Sequence, residues 1–204
     1  MEVRQALADI AEVRGRLATV QRFDGYSGPA AIASGLVAIA AGVVQAVIDP
    51  QPRSFAERQT YLAIWLTCLG FALTLNYGAI VVWRARNRGA QAAVQFRTVG
   101  MSILPAIACG GVVTLALVAR GLDELLPGLW CATYALGLFA SRAMVPRDVV
   151  FVAAAFGVAA TLLLLLPTIN PLGWWIMPAA FGIGQVIIGA TVCADTLQEE
   201  ERMS

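Results

Sequence analysis

A chain of 204 residues that is 59% hydrophobic and 13% charged carries about half the ionic surface of a soluble domain, for which roughly 25% charged residues is usual. With a mean hydropathy of +0.73 this is a membrane composition, and a net charge of +1 offers no electrostatic basis for direct contact with nucleic acid. The chain contains no histidine, which excludes imidazole metal sites, histidine-ligated haem and histidine-based acid–base catalysis.

The first twenty residues, MEVRQALADIAEVRGRLATV, place Val3, Ala6, Ile10, Val13, Leu17 and Val20 at alternating spacings of three and four. That is a heptad seam. Two readings stand: an amphipathic helix lying on the inner leaflet with its arginines at the headgroups, or a helix that docks on a partner through Val3, Ile10, Val13 and Leu17. Phe23 and Tyr26 then bring the chain to the interface, and residues 1–27 carry no signal-peptide pattern, so the N-terminal segment is expected to be retained.

A hydropathy window of about 19 residues finds six apolar segments, at 28–48, 62–83, 99–119, 128–144, 149–166 and 173–194. Each approaches the 20 or so residues that cross about 30 Å of hydrocarbon, and backbone buried in lipid must satisfy its own hydrogen bonds, so helices are expected. The expected fold is therefore all-α and polytopic: an N-terminal cytoplasmic amphipathic helix and linker (1–27), a six-helix bundle (28–194) and an acidic tail (195–204). Eleven of the fourteen arginines fall in the N-terminal segment, the 84–98 and 141–148 loops and the C-terminal tail. The positive-inside rule then assigns both termini to the cytoplasm. Trp65, Trp130, Trp174 and Trp175 would mark the outer interface and Trp83 the inner one.

In the first segment Gly28, Ala31, Gly35, Ala38 and Gly42 make a stripe that ends on Gln45. Such a stripe lets another backbone approach closely, either within a monomeric bundle or across a homodimer. Ala106 with Gly110, Gly137, and Ala153 with Gly157 are weaker versions. The second segment contributes the polar residues Thr67, Thr74, Asn76 and Tyr77. Arg84, Arg86 and Arg88 beyond it are expected to contact anionic headgroups, and acids such as Asp148 and Asp195 to pair with nearby arginines.

The sixth segment aligns Pro178, Gly182, Gln185 and Gly189 on one face. Gln185 falls near the midplane, where an amide facing acyl chains would lose several kcal/mol of solvation, so that face should turn inward. Asn76, or a carbonyl freed near Pro105, is the expected hydrogen-bond partner. The alternative is a polar cavity lined by Gln185, Asn76, Thr67, Thr74 and Tyr77 that takes a ligand or ion.

Phosphate-binding glycine loops, GxSxG elbows and HExxH motifs are missing, and no acid or arginine lies in the central part of any segment. Cys68, Cys109, Cys131 and Cys193 form no CxxC pair, so neither disulfides nor a metal site is expected, and no cofactor is implied. No internal duplication is evident.

The runs LLPGLW (125–130), LGLFASRAMVPR (136–147) and GWWIMPAAFGIGQ (173–185) resemble a group of small, uncharacterised bacterial inner-membrane proteins. The resemblance implies six helices, no established activity or site residue, and genes that often accompany a winged-helix transcriptional regulator. The acidic tail departs from that pattern. Three functions stay open: a non-enzymatic sensor or scaffold that docks a cytoplasmic partner, a small transporter or channel for a neutral or lipophilic solute, and an intramembrane lipid enzyme using Cys or Tyr. The expected partners are membrane lipids, with a cytoplasmic protein or a second copy of the chain in addition.

Overall fold

The computed structural model describes residue 23 and residues 25–142, 144–166 and 168–203. The segment expected to be an amphipathic helix, with Val3, Ile10, Val13 and Leu17, lies outside the described residues. Among those described there is no strand, and six helices carry the fold: α1 (Gly28–Ile48), α2 (Phe55–Arg86), α3 (Ala90–Ala119), α4 (Leu126–Ala140), α5 (Val149–Leu165) and α6 (Ile183–Met203). A π-helical turn at Pro178–Gly182 leads into α6, and a single 3-10 turn at Asp123–Leu125 leads into α4.

Among the described residues, four helical stretches are long and apolar enough to cross a membrane: Gly28–Ile48, Phe55–Arg86, Ala92–Ala119 and Pro178–Gln198. The described residues thus form an all-helical fold with the helix lengths and composition of a membrane protein. α4 and α5 are shorter than the sequence led us to expect, at 15 and 17 residues, or about 22 and 26 Å at 1.5 Å per residue.

Other boundaries shift for identifiable reasons. α2 begins at Phe55, seven residues before its apolar run, because Ser54 and Glu57 form a capping box: Ser54 Oγ accepts from the Glu57 N–H at 3.3 Å and Glu57 Oε2 accepts from the Ser54 N–H at 2.8 Å. α3 begins at Ala90 because AQAAVQFR contains no helix breaker. It ends in a Schellman motif, with Gly121 at φ +68° and the Leu122 N–H donating to the Leu117 carbonyl at 3.0 Å. The acidic segment is helical, since α6 runs on to Met203.

Around the bundle the helices follow the order α2, α1, α6, α5, α4, α3, and α2 and α3 barely meet. At the end that carries Trp174 and Trp175, Ala38, Tyr61, Leu62, Leu126, Leu172 and Met177 form one buried cluster. A second joins α4, α5 and α6 through Ala135, Val149, Ala153, Phe156 and Ile188. At the arginine-rich end Phe23 packs with Ile80 of α2 and Val99 of α3, and its N–H donates to the Met144 carbonyl at 3.2 Å.

Candidate functional site

Several serine and threonine hydroxyls of the helices are satisfied locally. Ser34, Thr74, Thr114, Ser141 and Thr161 each donate to a carbonyl three or four residues back in the same helix, which removes them as lining for a polar path. Asn76 does the same, its Nδ2 donating to the Ala72 carbonyl at 2.9 Å. Thr67 is exposed on the outer surface of α2, and Pro105 is exposed on α3. The expected pairing of Gln185 with Asn76 or with a carbonyl near Pro105 is therefore incorrect, as is the grouping of Thr67, Thr74 and Asn76 around Gln185. A carbonyl one turn back on the same helix is always within reach of an Asn side chain, whereas a neighbouring helix must be brought to it.

Gln185 does turn inward, and its Nε2 donates to the Tyr134 hydroxyl on α4. Tyr134, Phe156 and Phe181 hold one another through ring contacts, with centroids 4.8, 5.3 and 5.0 Å apart. Beside Tyr134 lies Tyr26, which packs against the α4–α6 cluster that Tyr134 flanks and against the Phe23 cluster that Tyr77 flanks. Burial, with a smaller contribution from Tyr77, pushes the Tyr26 hydroxyl up to about 12, so it stays protonated. Of the five expected lining residues, Gln185 thus meets Tyr134, and Tyr77 packs against the same cluster as Tyr26. Gln185 Oε1 and the Tyr77 hydroxyl are buried with no hydrogen-bond partner among the described residues.

Gln45, read from the sequence only as the end of a packing stripe, is a second polar centre. It is 1% exposed; its Nε2 donates to the Leu172 carbonyl at 2.8 Å and its Oε1 accepts from Trp65 Nε1 at 2.8 Å. One amide therefore joins α1, α2 and the 166–175 connection, while the Trp174 N–H donates to the Pro50 carbonyl at 3.1 Å. Trp65 and Trp130 do not form part of an outer belt as expected, because both indoles point into the protein. Trp130 Nε1 donates to Thr114 Oγ1 at 2.9 Å. Of the four tryptophans expected at the outer interface, Trp174 and Trp175 are the exposed ones, at 41% and 52%.

The glycine stripes of α1 and α6 face each other. A Cβ on Gly35 would lie 2.7 Å from the Gly182 carbonyl, and one on Gly189 would lie 2.6 Å from the Gly28 carbonyl. Gly28 fits against Cys193 and Gly42 against the Pro178 ring. The α1 stripe is thus covered by α6 within one chain and is not free to form a homodimer face. In the same way Gly110 faces Thr133, and Gly137 faces Ala106, whereas Gly157 touches nothing.

The arginines at the end of α2 bind carbonyls. Arg84 Nη1 donates to the Asn87 carbonyl at 2.8 Å and Arg88 Nε to the Ala85 carbonyl at 3.4 Å, and both are favourable at a helix C-terminus. Arg84 is half-buried, while Arg86 and Arg88 are exposed. Arg142 Nη1 likewise donates to the Phe139 carbonyl at 3.1 Å. At the opposite end Arg58 and Glu124 form an ion pair at 2.9 Å. All four cysteines are free, Cys68 and Cys131 being buried.

A groove of about 560 Å³ lies between α5 and the chain running from Trp175 into α6. Its floor holds Val152, Phe156, Ile176 and Gly184, which are buried, and its rim holds Phe151 and Ile183, which are exposed. No charged side chain lines it. Sequence reasoning missed this site because an apolar groove is built from the same residues as an apolar helix face. Comparisons with protein-family models, with curated proteins and with solved structures gave no match to this chain.

Proposed function

We propose that this protein is a non-enzymatic, six-span component of a bacterial inner membrane, with both termini in the cytoplasm, that acts as a sensor or scaffold by presenting its N-terminal segment to a cytoplasmic protein. One observation carries the reading: the chain just after that segment is anchored inside the bundle. Phe23 stacks edge-on against Trp83 with centroids 5.0 Å apart, and a Cβ on Gly25 would lie 2.5 Å from the Phe23 ring and 2.6 Å from the Trp83 ring. Tyr26 then packs against the same cluster as Tyr134, whose hydroxyl accepts from Gln185 Nε2 on α6. A pull on the N-terminal segment would thus be felt in the transmembrane core, and a rearrangement of the core would be felt at the N-terminal segment.

The arginine distribution supports the cytoplasmic assignment, and Arg86 and Arg88 are exposed where anionic headgroups would lie. A carrier for a lipophilic solute is the second reading, favoured only by the apolar groove. The hydroxyls and Asn76 bonded along their own helices speak against a polar solute path.

The test is gentle extraction of the full-length protein and of an Ile10→Glu/Leu17→Glu variant, with copurifying proteins and membrane retention scored separately. We expect a stoichiometric cytoplasmic protein with the unchanged chain and its loss in the variant, while the variant stays in the membrane. An unchanged set of copurifying proteins in the variant would overturn the reading.

A further inference from the structure

We infer that the groove between α5 and α6 is a fixed site for one acyl chain of a membrane phospholipid, with its polar end at Trp175 and its tail against Phe156 and Gly184. A fixed lipid requires no cytoplasmic partner, so the site is independent of the proposed docking function, and it competes with the carrier reading for the same groove. Three observations lead to it.

The first is its shape. Gly184 lets α6 approach α5 closely, since a Cβ there would lie 2.7 Å from the Phe156 ring. Towards the tryptophan end the π turn at Pro178–Gly182 carries the chain over to α1, where Pro178 seats on Gly42. The two helices therefore part on one side of Phe156, and the connection through Ile169 closes the far end of the wedge. At about 560 Å³ it lies within the roughly 300–1,000 Å³ of ordinary ligand sites.

The second is its chemistry. The lining is aliphatic and aromatic, and the one side-chain N–H among the lining residues belongs to the half-exposed Trp175 indole, at the tryptophan end of the groove. A polar solute would leave its own donors and acceptors unpaired there. A hydrocarbon chain would not, and an indole N–H at headgroup level suits its polar end.

The third is its position. The rim residues Phe151 and Ile183 are 75% and 54% exposed on helices that pack side by side in a membrane protein, so the mouth opens onto hydrocarbon. The occupant at hand is therefore a lipid tail, held deeper than lipids that only coat the surface because the floor is buried.

The experiment titrates delipidated full-length protein in detergent micelles with palmitoyl-oleoyl phosphatidylglycerol and counts bound lipid by native mass spectrometry. Ala155 and Ala179 both line the groove and are exposed, so Ala155→Phe/Ala179→Phe would fill it with little demand on the core. Val112→Phe, on the exposed face of α3, is the control, and Ile187→Trp on the rim is a second, independent block; circular dichroism and gel filtration check folding. We expect saturable retention of one lipid per chain, weakened at least tenfold by either groove variant and unchanged in Val112→Phe. Lipid that adds without saturation, or that all variants retain equally, would show surface lipid only and overturn the site. So would a dimer that binds no lipid and is dissociated by the groove variants, since the occupant would then be a second copy of the chain.

Discussion

The two transmembrane glutamines look alike in sequence and differ in what their amides meet. Gln45 spends both ends of its amide on groups that have no other partner in sight, the Trp65 indole N–H and the Leu172 carbonyl. Gln185 uses only its N–H, and its Oε1 is already unpaired among the described residues. Leaving a buried donor or acceptor unsatisfied costs about 1–3 kcal/mol, whereas a hydrogen bond between transmembrane helices is worth only about 0.6 kcal/mol on average. Gln45→Leu orphans two groups, so we expect it to lower stability by about 2 kcal/mol or more. Gln185→Leu removes an unpaired acceptor together with its one bond, so we expect a change within about 1 kcal/mol. Reversible unfolding in mixed micelles compares the two directly, and an equal loss in both variants would refute the distinction. The sequence revealed that Gln185 faces inward, because it shares a face with Pro178, Gly182 and Gly189. It did not reveal Tyr134 as the partner, since a tyrosine in an apolar helix carries no mark of which way its hydroxyl points.

At the level of the helix, glycine has two opposite roles, and its neighbours decide which one applies. In α1 and α6 the glycines are where backbone touches backbone. Gly189→Ala would drive a methyl to 2.6 Å from the Gly28 carbonyl and 2.8 Å from the Ile32 amide nitrogen, backbone atoms that cannot turn aside, and overpacking of this kind costs about 1–3 kcal/mol. Gly78 of α2 has nothing within 4 Å of its would-be Cβ, so Gly78→Ala should stabilise by about 0.5–1 kcal/mol, through helix propensity alone. Thermal midpoints of the two variants should therefore move in opposite directions; a fall in both would mean that α2 has a partner at Gly78. The three-and-four spacing of Gly28, Gly35 and Gly42 was legible as a contact stripe. Its partner, α6, was not, because spacing identifies a packing face without saying which other face it meets. The starts of α2 and α3 were misjudged for a different reason: hydropathy marks where lipid begins, but Ser54 with Glu57 and the breaker-free run from Ala90 decide where the helix begins.

For the whole molecule, composition and the lengths of the apolar runs were enough to read a helical membrane protein, and the number of crossings turns on α4 and α5. At about 22 and 26 Å they fall short of a roughly 30 Å hydrocarbon core, by a mismatch that costs fractions of a kcal/mol per Å. A re-entrant pair, entering and leaving on the tryptophan side, would instead leave the 141–148 turn inside the bilayer. That turn carries Arg142 and Arg147, and an arginine at the centre of a span costs about 2.5–3.5 kcal/mol on insertion scales. Two such penalties outweigh the mismatch, so we expect α4 and α5 to cross with the turn in cytoplasmic water. Asp148, which is exposed, provides the test. In a background with the four native cysteines replaced by alanine, Asp148→Cys and Gly89→Cys should react with a membrane-impermeant maleimide only after the cells are permeabilised, and Gln51→Cys should react in intact cells. Absence of reaction at position 148 under both conditions, with position 89 reacting normally, would mean a re-entrant pair and four crossings. Reaction at position 148 in intact cells would reverse the assignment of sides.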